Sequence, residues 1–180
     1  MTAATKLNIV VAGSIASVPD QGGWTWAVLQ YLLGLRRLGH TVFFLEVIDP
    51  KLVEEHGGFA PGPMYFRSVM ADFEFRRSSA MLLKGRQELV GASYPELEDL
   101  ARRTDLLINV SGVIRDADLL RRFRRRVYLD LDPAFTQLWQ DVQKIDMGLG
   151  GHTSHATIGL AIGRPGCAVP TCGVDWITTP

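Results

Sequence analysis

Asn8-Ile-Val-Val-Ala-Gly13, a polar loop from Ser14 to Gly23, an apolar stretch from Trp24 to Leu38, Gly39-His40, and Thr41-Val-Phe-Phe-Leu-Glu-Val47 decide the fold between them. The first run is short, apolar and closed by glycine, as a strand buried on both faces should be. Trp24, Trp26, Val28, Leu29, Leu32, Leu33, Leu35 and Leu38 make the next stretch apolar nearly all round, which predicts a helix covered on most sides. Arg36 and Arg37 complement the dipole of its last turn, and Gly39 is placed to stop it. A second β run comes directly after. Strand, loop, buried helix and strand make a right-handed crossover. The reading is an α/β fold with a doubly wound, mostly parallel sheet flanked by helices.

The loop before the helix carries the chemistry. Pro19-Asp20-Gln21-Gly22-Gly23 leads into a helix N-terminus, whose backbone N–H groups lack intrahelical partners and favour an anion. Paired glycines let a phosphate approach without a Cβ in the way. The plainer alternative is a tight turn in which Asp20 or Gln21 caps the helix. Two named phosphate motifs fail. No Gly-Lys-Ser/Thr comes after the glycines, and nine residues separate Gly13 from Gly23, too many for the G-x-G-x-x-G turn.

Ile9 through the Gly-Gly loop, then Leu29–Leu33 and Leu35-Arg-Arg-Leu-Gly-His-Thr-Val42, resembles the start of GT-B-fold glycosyltransferases. In that superfamily a Pro-x-x-Gly-Gly loop and a helix precede Leu-x-x-x-Gly-His-x-Val. The resemblance covers about a quarter of the chain. It implies a Rossmann-like acceptor-side domain, residues 1–180, with the Gly/Pro-rich segment 148–180 leading toward a C-terminal donor-binding domain. It implies a nucleotide-sugar donor, a hydroxyl acceptor and no metal or other cofactor. Gly22 and Gly23 would face the diphosphate. Asp20, Asp130 and His152, in that order, are its candidates for acceptor contact or proton transfer. A chain with this domain alone is expected to fold but not to transfer sugar. The rival expectation is a Rossmann-like module that binds a nucleotide or other anion without chemistry. In its dinucleotide version Glu46 accepts from a ribose hydroxyl.

Further along, residues 64–90 show rough helical spacing. Tyr94 to Arg103, Asp116 to Arg126 and Phe135 to Ile145 read as helices. Asp105-Leu-Leu-Ile-Asn-Val110 and Val127-Tyr-Leu-Asp-Leu131 read as strands, with Ile158–Ile162 a candidate last strand. Ser111-Gly112 falls at the carboxyl end of a strand, where open α/β sheets bind ligands. Asp130-Leu-Asp132 spells a D-x-D, readable as a metal site, as polar groups lining a cleft, or as Asp132 capping the next helix. His152-x-x-His155 with Cys167 and Cys172 offers zinc-type ligands at unusual spacing. The alternatives are buried thiols and histidines hydrogen-bonding in a cleft, one of them a general base or phosphate ligand.

With 180 residues, 47% hydrophobic and 21% charged, the chain suits one packed domain rather than a disordered one. Lys+Arg and Asp+Glu both total 19, which argues against a dedicated nucleic-acid binder. The charge is unevenly spread: residues 61–126 hold 13 basic and 9 acidic groups, and 127–180 hold 2 and 5. The arginines from Arg121 to Arg126 read as a solvated helix end or as peripheral membrane contact. No apolar run approaches membrane-span length, and two cysteines are too few for a disulfide scaffold, so a cytoplasmic setting is the expectation.

Overall fold

The computed structural model describes residues 5–19, 21–48, 61–83 and 87–179. Eight strands form one sheet in the order β4-β3-β2-β1-β5-β6-β7-β8. They are β1 (Asn8–Ala12), β2 (Thr41–Ile48), β3 (Ser79–Leu83), β4 (Gln87–Val90), β5 (Leu106–Val110), β6 (Arg126–Asp130), β7 (Ser154–Thr157) and β8 (Trp176–Thr178). All neighbours are parallel except β3 and β4, an antiparallel pair at one edge. The expected doubly wound fold is present, and it is Rossmann-like: the order reverses beside β1, which pairs with β2 on one side and β5 on the other.

Two apolar layers hold the helices to the sheet. On one face, Val28, Leu29 and Leu32 of α1 (Gly22–Arg37) and Phe66, Val69 and Met70 of α2 (Pro61–Asp72) pack on Ile9, Val11, Val42 and Phe44. On the other, Leu97 and Ala101 of α3 (Tyr94–Arg103) and Leu119 and Leu120 of α4 (Ala117–Arg122) pack on Val10, Leu45 and Leu107. Period-2 alternation along β1 and β2 sends successive apolar side chains to opposite layers. No helix among the described residues is long and apolar enough to cross a membrane.

Local signals explain the well-read elements. Ser93 and Glu96 close a capping box on α3, and Pro95 stands in its first turn. Asp116 caps α4 by accepting from Asp118 N and Leu119 N. Gly39, at φ 90°, stops α1.

Three expectations are corrected. Residues 79–83 and 87–90 are strands, not helix, because pairing of β3 with β2 and of β4 with β3 overrides a weak helical spacing. The strand placed at Ile158–Ile162 lies earlier, at Ser154–Thr157, and β8 comes after it. β7 pairs in parallel register with β6, and β8 with β7, so the Gly/Pro-rich end extends the sheet. The helix α5 (Phe135–Asp141) is shorter than the expected 135–145, and α4 ends at Arg122. The expected loop from Asp49 to Pro63 lies outside the described residues as far as Ala60.

Candidate functional site

The parallel strands discharge at one edge, and the switch between β1 and β5 opens the crevice where this class of sheet receives ligands. The loop leaving β1 is held from below. Glu46, fully buried in β2, accepts the N–H of Ala16 through Oε2 and that of Ser17 through Oε1, both at 2.9 Å. Burial raises its carboxyl above the usual range, against the lowering effect of those two N–H groups. Glu46 is thus a loop anchor, with both oxygens engaged inside the protein. That overturns its expected role as a ribose acceptor. The start of α2 closes on the same loop: a Cβ at Gly62 would lie 2.9 Å from Ala16 O.

Beyond the loop, α1 begins at Gly22. Its N-cap position is Gln21, which makes no side-chain capping bond, so the capping alternative fails for that residue. Thr25 N reaches Gln21 O, while the N–H groups of Gly22, Gly23 and Trp24 have no intrahelical acceptor. Neither glycine has a positive φ, and among the described residues nothing lies within 4 Å of where a Cβ would sit on either. Trp24 Nε1 is a buried donor without a partner. Asp20 lies outside the described residues.

Across the crevice, the chain leaves β5 through two consecutive left-handed residues, Ser111 at φ 50° and Gly112 at φ 66°. Their amides are engaged internally: Ser111 N donates to Leu129 O at 2.9 Å and Gly112 N to Asn109 O at 3.5 Å. A Cβ on Gly112 would stand 2.8 Å from Tyr128 Cε2 and 3.0 Å from Met147 O, so this glycine answers to packing. As a ligand-binding pair, Ser111 and Gly112 offer only the hydroxyl of Ser111, which is buried and unpartnered.

Asn109, buried in β5, organises the far wall. Its Oδ1 accepts Ile114 N at 3.1 Å, and its Nδ2 donates to Ile114 O at 3.1 Å and to His152 Nε2 at 3.0 Å. The other ring nitrogen of His152 faces Leu149 O and Gly150 O at 3.2 and 3.1 Å. Two acceptors on Nδ1 and a donor on Nε2 define the neutral Nδ1–H tautomer. Burial depresses the imidazole below its ordinary value, and His155 and Arg126 push the same way. Its ring stands edge-on to Tyr128, whose hydroxyl donates to Met147 O at 3.2 Å. His152 therefore clamps the loop after α5 to the sheet. Its Nε2 lone pair, which a general base needs, is engaged by Asn109.

Asp130 is fully buried at the end of β6. Oδ1 accepts Asp132 N at 3.0 Å and Thr136 Oγ1 at 2.8 Å; Oδ2 accepts Gln137 Nε2 at 2.8 Å and Thr157 Oγ1 at 2.7 Å. Four donors satisfy the carboxylate. Its expected part in acceptor contact or proton transfer is thus replaced by a structural one, tying α5 and β7 to β6. Asp132 is exposed and is not the cap of α5. Ala134 holds that position, and Gln137 Oε1 accepts its N–H at 2.7 Å. Among the described residues no three His, Cys, Asp or Glu side chains group so as to hold a metal, and both cysteines are free. Cys172 donates to Gln137 O at 3.4 Å instead, and His155 Nε2 meets Leu149 O at 2.9 Å.

Polar residues in apolar strands are a signal the sequence does carry. Glu46 and Asn109 both stand out in that way, yet nothing local tells an internal anchor from a ligand contact. Thr136 and Gln137 give no signal: they are buried only because Asp130 draws them in.

No protein-family model matches the sequence, and no curated protein matches it. Two solved structures align with it. A probable 2-hydroxyacid dehydrogenase from Rhizobium etli CFN 42, in complex with NADP, HEPES and L(+)-tartaric acid, aligns at 12% identity and a TM-score of 0.37. The alignment covers 97% of this chain and 45% of that one. An NADPH-dependent glyoxylate/hydroxypyruvate reductase from Sinorhizobium meliloti, in apo form, aligns at 12% identity and a TM-score of 0.33. It covers 94% of this chain and 70% of that one. The chain thus spans less than half the length of the first. Likenesses this low carry no argument about ligands, and the fold rests on its own strand order.

Proposed function

We propose that this chain is a Rossmann-like binding module that holds the phosphate of a nucleotide, or a similar anion, at the amino end of α1. One observation carries the reading. Gly22 and Gly23 stand in the first turn of a helix with no positive φ and, among the described residues, no neighbour to avoid. Glycine costs up to about 1 kcal/mol relative to alanine within a helix, so two unforced glycines there are otherwise unexplained. Room over N–H groups that lack an intrahelical acceptor is what a phosphate needs. The buried, unpartnered Ser111 hydroxyl at the same edge of the sheet supports the reading. The buried Glu46 removes the dinucleotide version of it.

The test is a calorimetric titration of the chain with inorganic phosphate, ADP and UDP, repeated on Gly23→Val. Binding by the wild type, weakened at least about tenfold in a variant with unchanged melting temperature, supports the module. Absence of binding to all three, or parallel loss of fold and binding, overturns it.

A second reading, the N-terminal half of a GT-B-type glycosyltransferase, is favoured by helix α5. Its polar residues Thr136 and Gln137 point inward, while Phe135, Leu138 and Trp139 are exposed along one stripe that continues to Val142. A face of this kind suits cover by another domain. In that reading the same glycines face the diphosphate of a nucleotide sugar, and the base, Asp20 if the resemblance carries over, sits in the loop before them. A panel of nucleotide sugars assayed for hydrolysis and transfer discriminates. The chain alone should be inactive and gain turnover only with a donor-binding half supplied.

A further inference from the structure

The charge asymmetry of the sequence has a counterpart in the sheet. Every parallel strand from β3 to β6 is entered past at least one exposed cation. Arg76 and Arg77 precede β3, Arg37 precedes β2, Lys6 precedes β1, Arg103 precedes β5, and Arg124 and Arg125 precede β6. These run-ins are neighbours: Phe44 N donates to Ser78 O, Thr41 N to Leu7 O, Asp105 N to Asn8 O and Leu107 N to Arg125 O, each at 2.9 Å. Five adjacent strands at about 4.8 Å make the row about 20 Å long. It lies at the amino edge, opposite the crevice.

None of these seven cations forms an ion pair among the described residues. Of the acids nearby, Asp72 is exposed and five others are engaged. Glu74 pairs with Arg36, Asp99 with Arg102, Asp118 with Arg121 and Glu98 with Arg122, and Asp105 accepts Asn8 N at 2.7 Å. Helix dipoles favour a cation at the ends of α1 and α3, yet they do not account for Arg76, Arg77, Arg124 and Arg125, which lie beyond the helix ends.

We propose that this amino edge docks on an anionic lipid bilayer. The row follows one rim of the sheet, and a cluster of four to eight basic groups is what attracts a protein to anionic lipid. Leu38, 70% exposed beside Arg37, adds an apolar contact that a bilayer interface can take up. Nucleic acid fits less well. The run-in aromatics Phe75 and Phe123 are buried and Phe73 is half-buried against Trp26, which meets it edge-on, so the run-ins themselves offer no open ring face for stacking bases. Docked this way, the crevice at the carboxyl edge faces the aqueous phase and stays open to soluble ligands.

The experiment is co-sedimentation of the chain with vesicles of phosphatidylcholine, alone or with about a third phosphatidylserine. The wild type should bind only the mixed vesicles and release as salt rises past the point where surface charge is screened. Replacing Arg76, Arg77, Arg124 and Arg125 together by Gln should weaken binding about 100-fold or more, with an unchanged melt. Replacing the same four by Lys should retain it. Should the Gln variant not fold, vesicle composition and the Lys variant decide. Equal binding to both vesicle types, undiminished binding by a folded Gln variant, or tighter binding to a single-stranded oligonucleotide than to the mixed vesicles would each overturn the proposal.

Discussion

Gln137 of α5 donates through Nε2 to Oδ2 of Asp130 at 2.8 Å, so the inward face of that helix is polar and the apolar face is left outside. A short amphipathic helix normally packs the other way round. Here the buried carboxylate at the end of β6 requires donors, and Thr136 and Gln137 supply two of the four it receives.

Asp130→Asn should therefore destabilise the fold by about 3 kcal/mol, because a side-chain NH2 would confront N–H donors that cannot turn round to accept. Urea denaturation measures the loss. A variant within about 0.5 kcal/mol of wild type would show that the network is dispensable.

The glycines divide into two classes that alanine substitution separates. Gly112→Ala meets Tyr128 at 2.8 Å and a positive φ, and should cost about 2 kcal/mol or more. Gly22→Ala and Gly23→Ala meet nothing among the described residues and should leave stability unchanged or raise it by up to about 1 kcal/mol. Equal losses at all three positions would remove the reason for reading Gly22 and Gly23 as ligand-facing.

His152 should give the fold an acid sensitivity of defined sign. Its folded value lies below the ordinary 6.5, so the neutral ring favours folding above that pH, and the contribution is lost as pH falls through the folded value. Melting temperature should drop below about pH 6.5 in the wild type and less in His152→Gln. An NMR titration placing the ring at or above 6.5 contradicts the neutral clamp.

Glu46 works in the opposite sense. Its carboxyl is raised by burial, so its contribution is complete below the ordinary 4.5 and declines as pH rises through the folded value. The margin of wild type over Glu46→Gln in thermal melts should shrink as pH rises above about 4.5. A margin independent of pH would mean that the hydrogen bonds balance the burial, and a margin growing with pH that they outweigh it.

The first crossover was legible because local patterning and tertiary demand agree there: β1, α1 and β2 are apolar, their ends are marked by glycine, and the helix end carries Arg36 and Arg37. The same agreement holds for α3, with its capping box. Patterning could not find β3, β4, β7 or β8. Those strands are short and owe their form to neighbours contributed from distant parts of the chain. The candidate site divides along the same line. Sequence alone placed a glycine pair at a helix start, since helix ends and glycine act through near neighbours. Whether a polar side chain in that region meets a ligand or the protein itself depends on partners far off in sequence. His152 finds Asn109, Asp130 finds Thr157 and Glu46 finds Ala16, all across strands, and only the folded sheet brings them together.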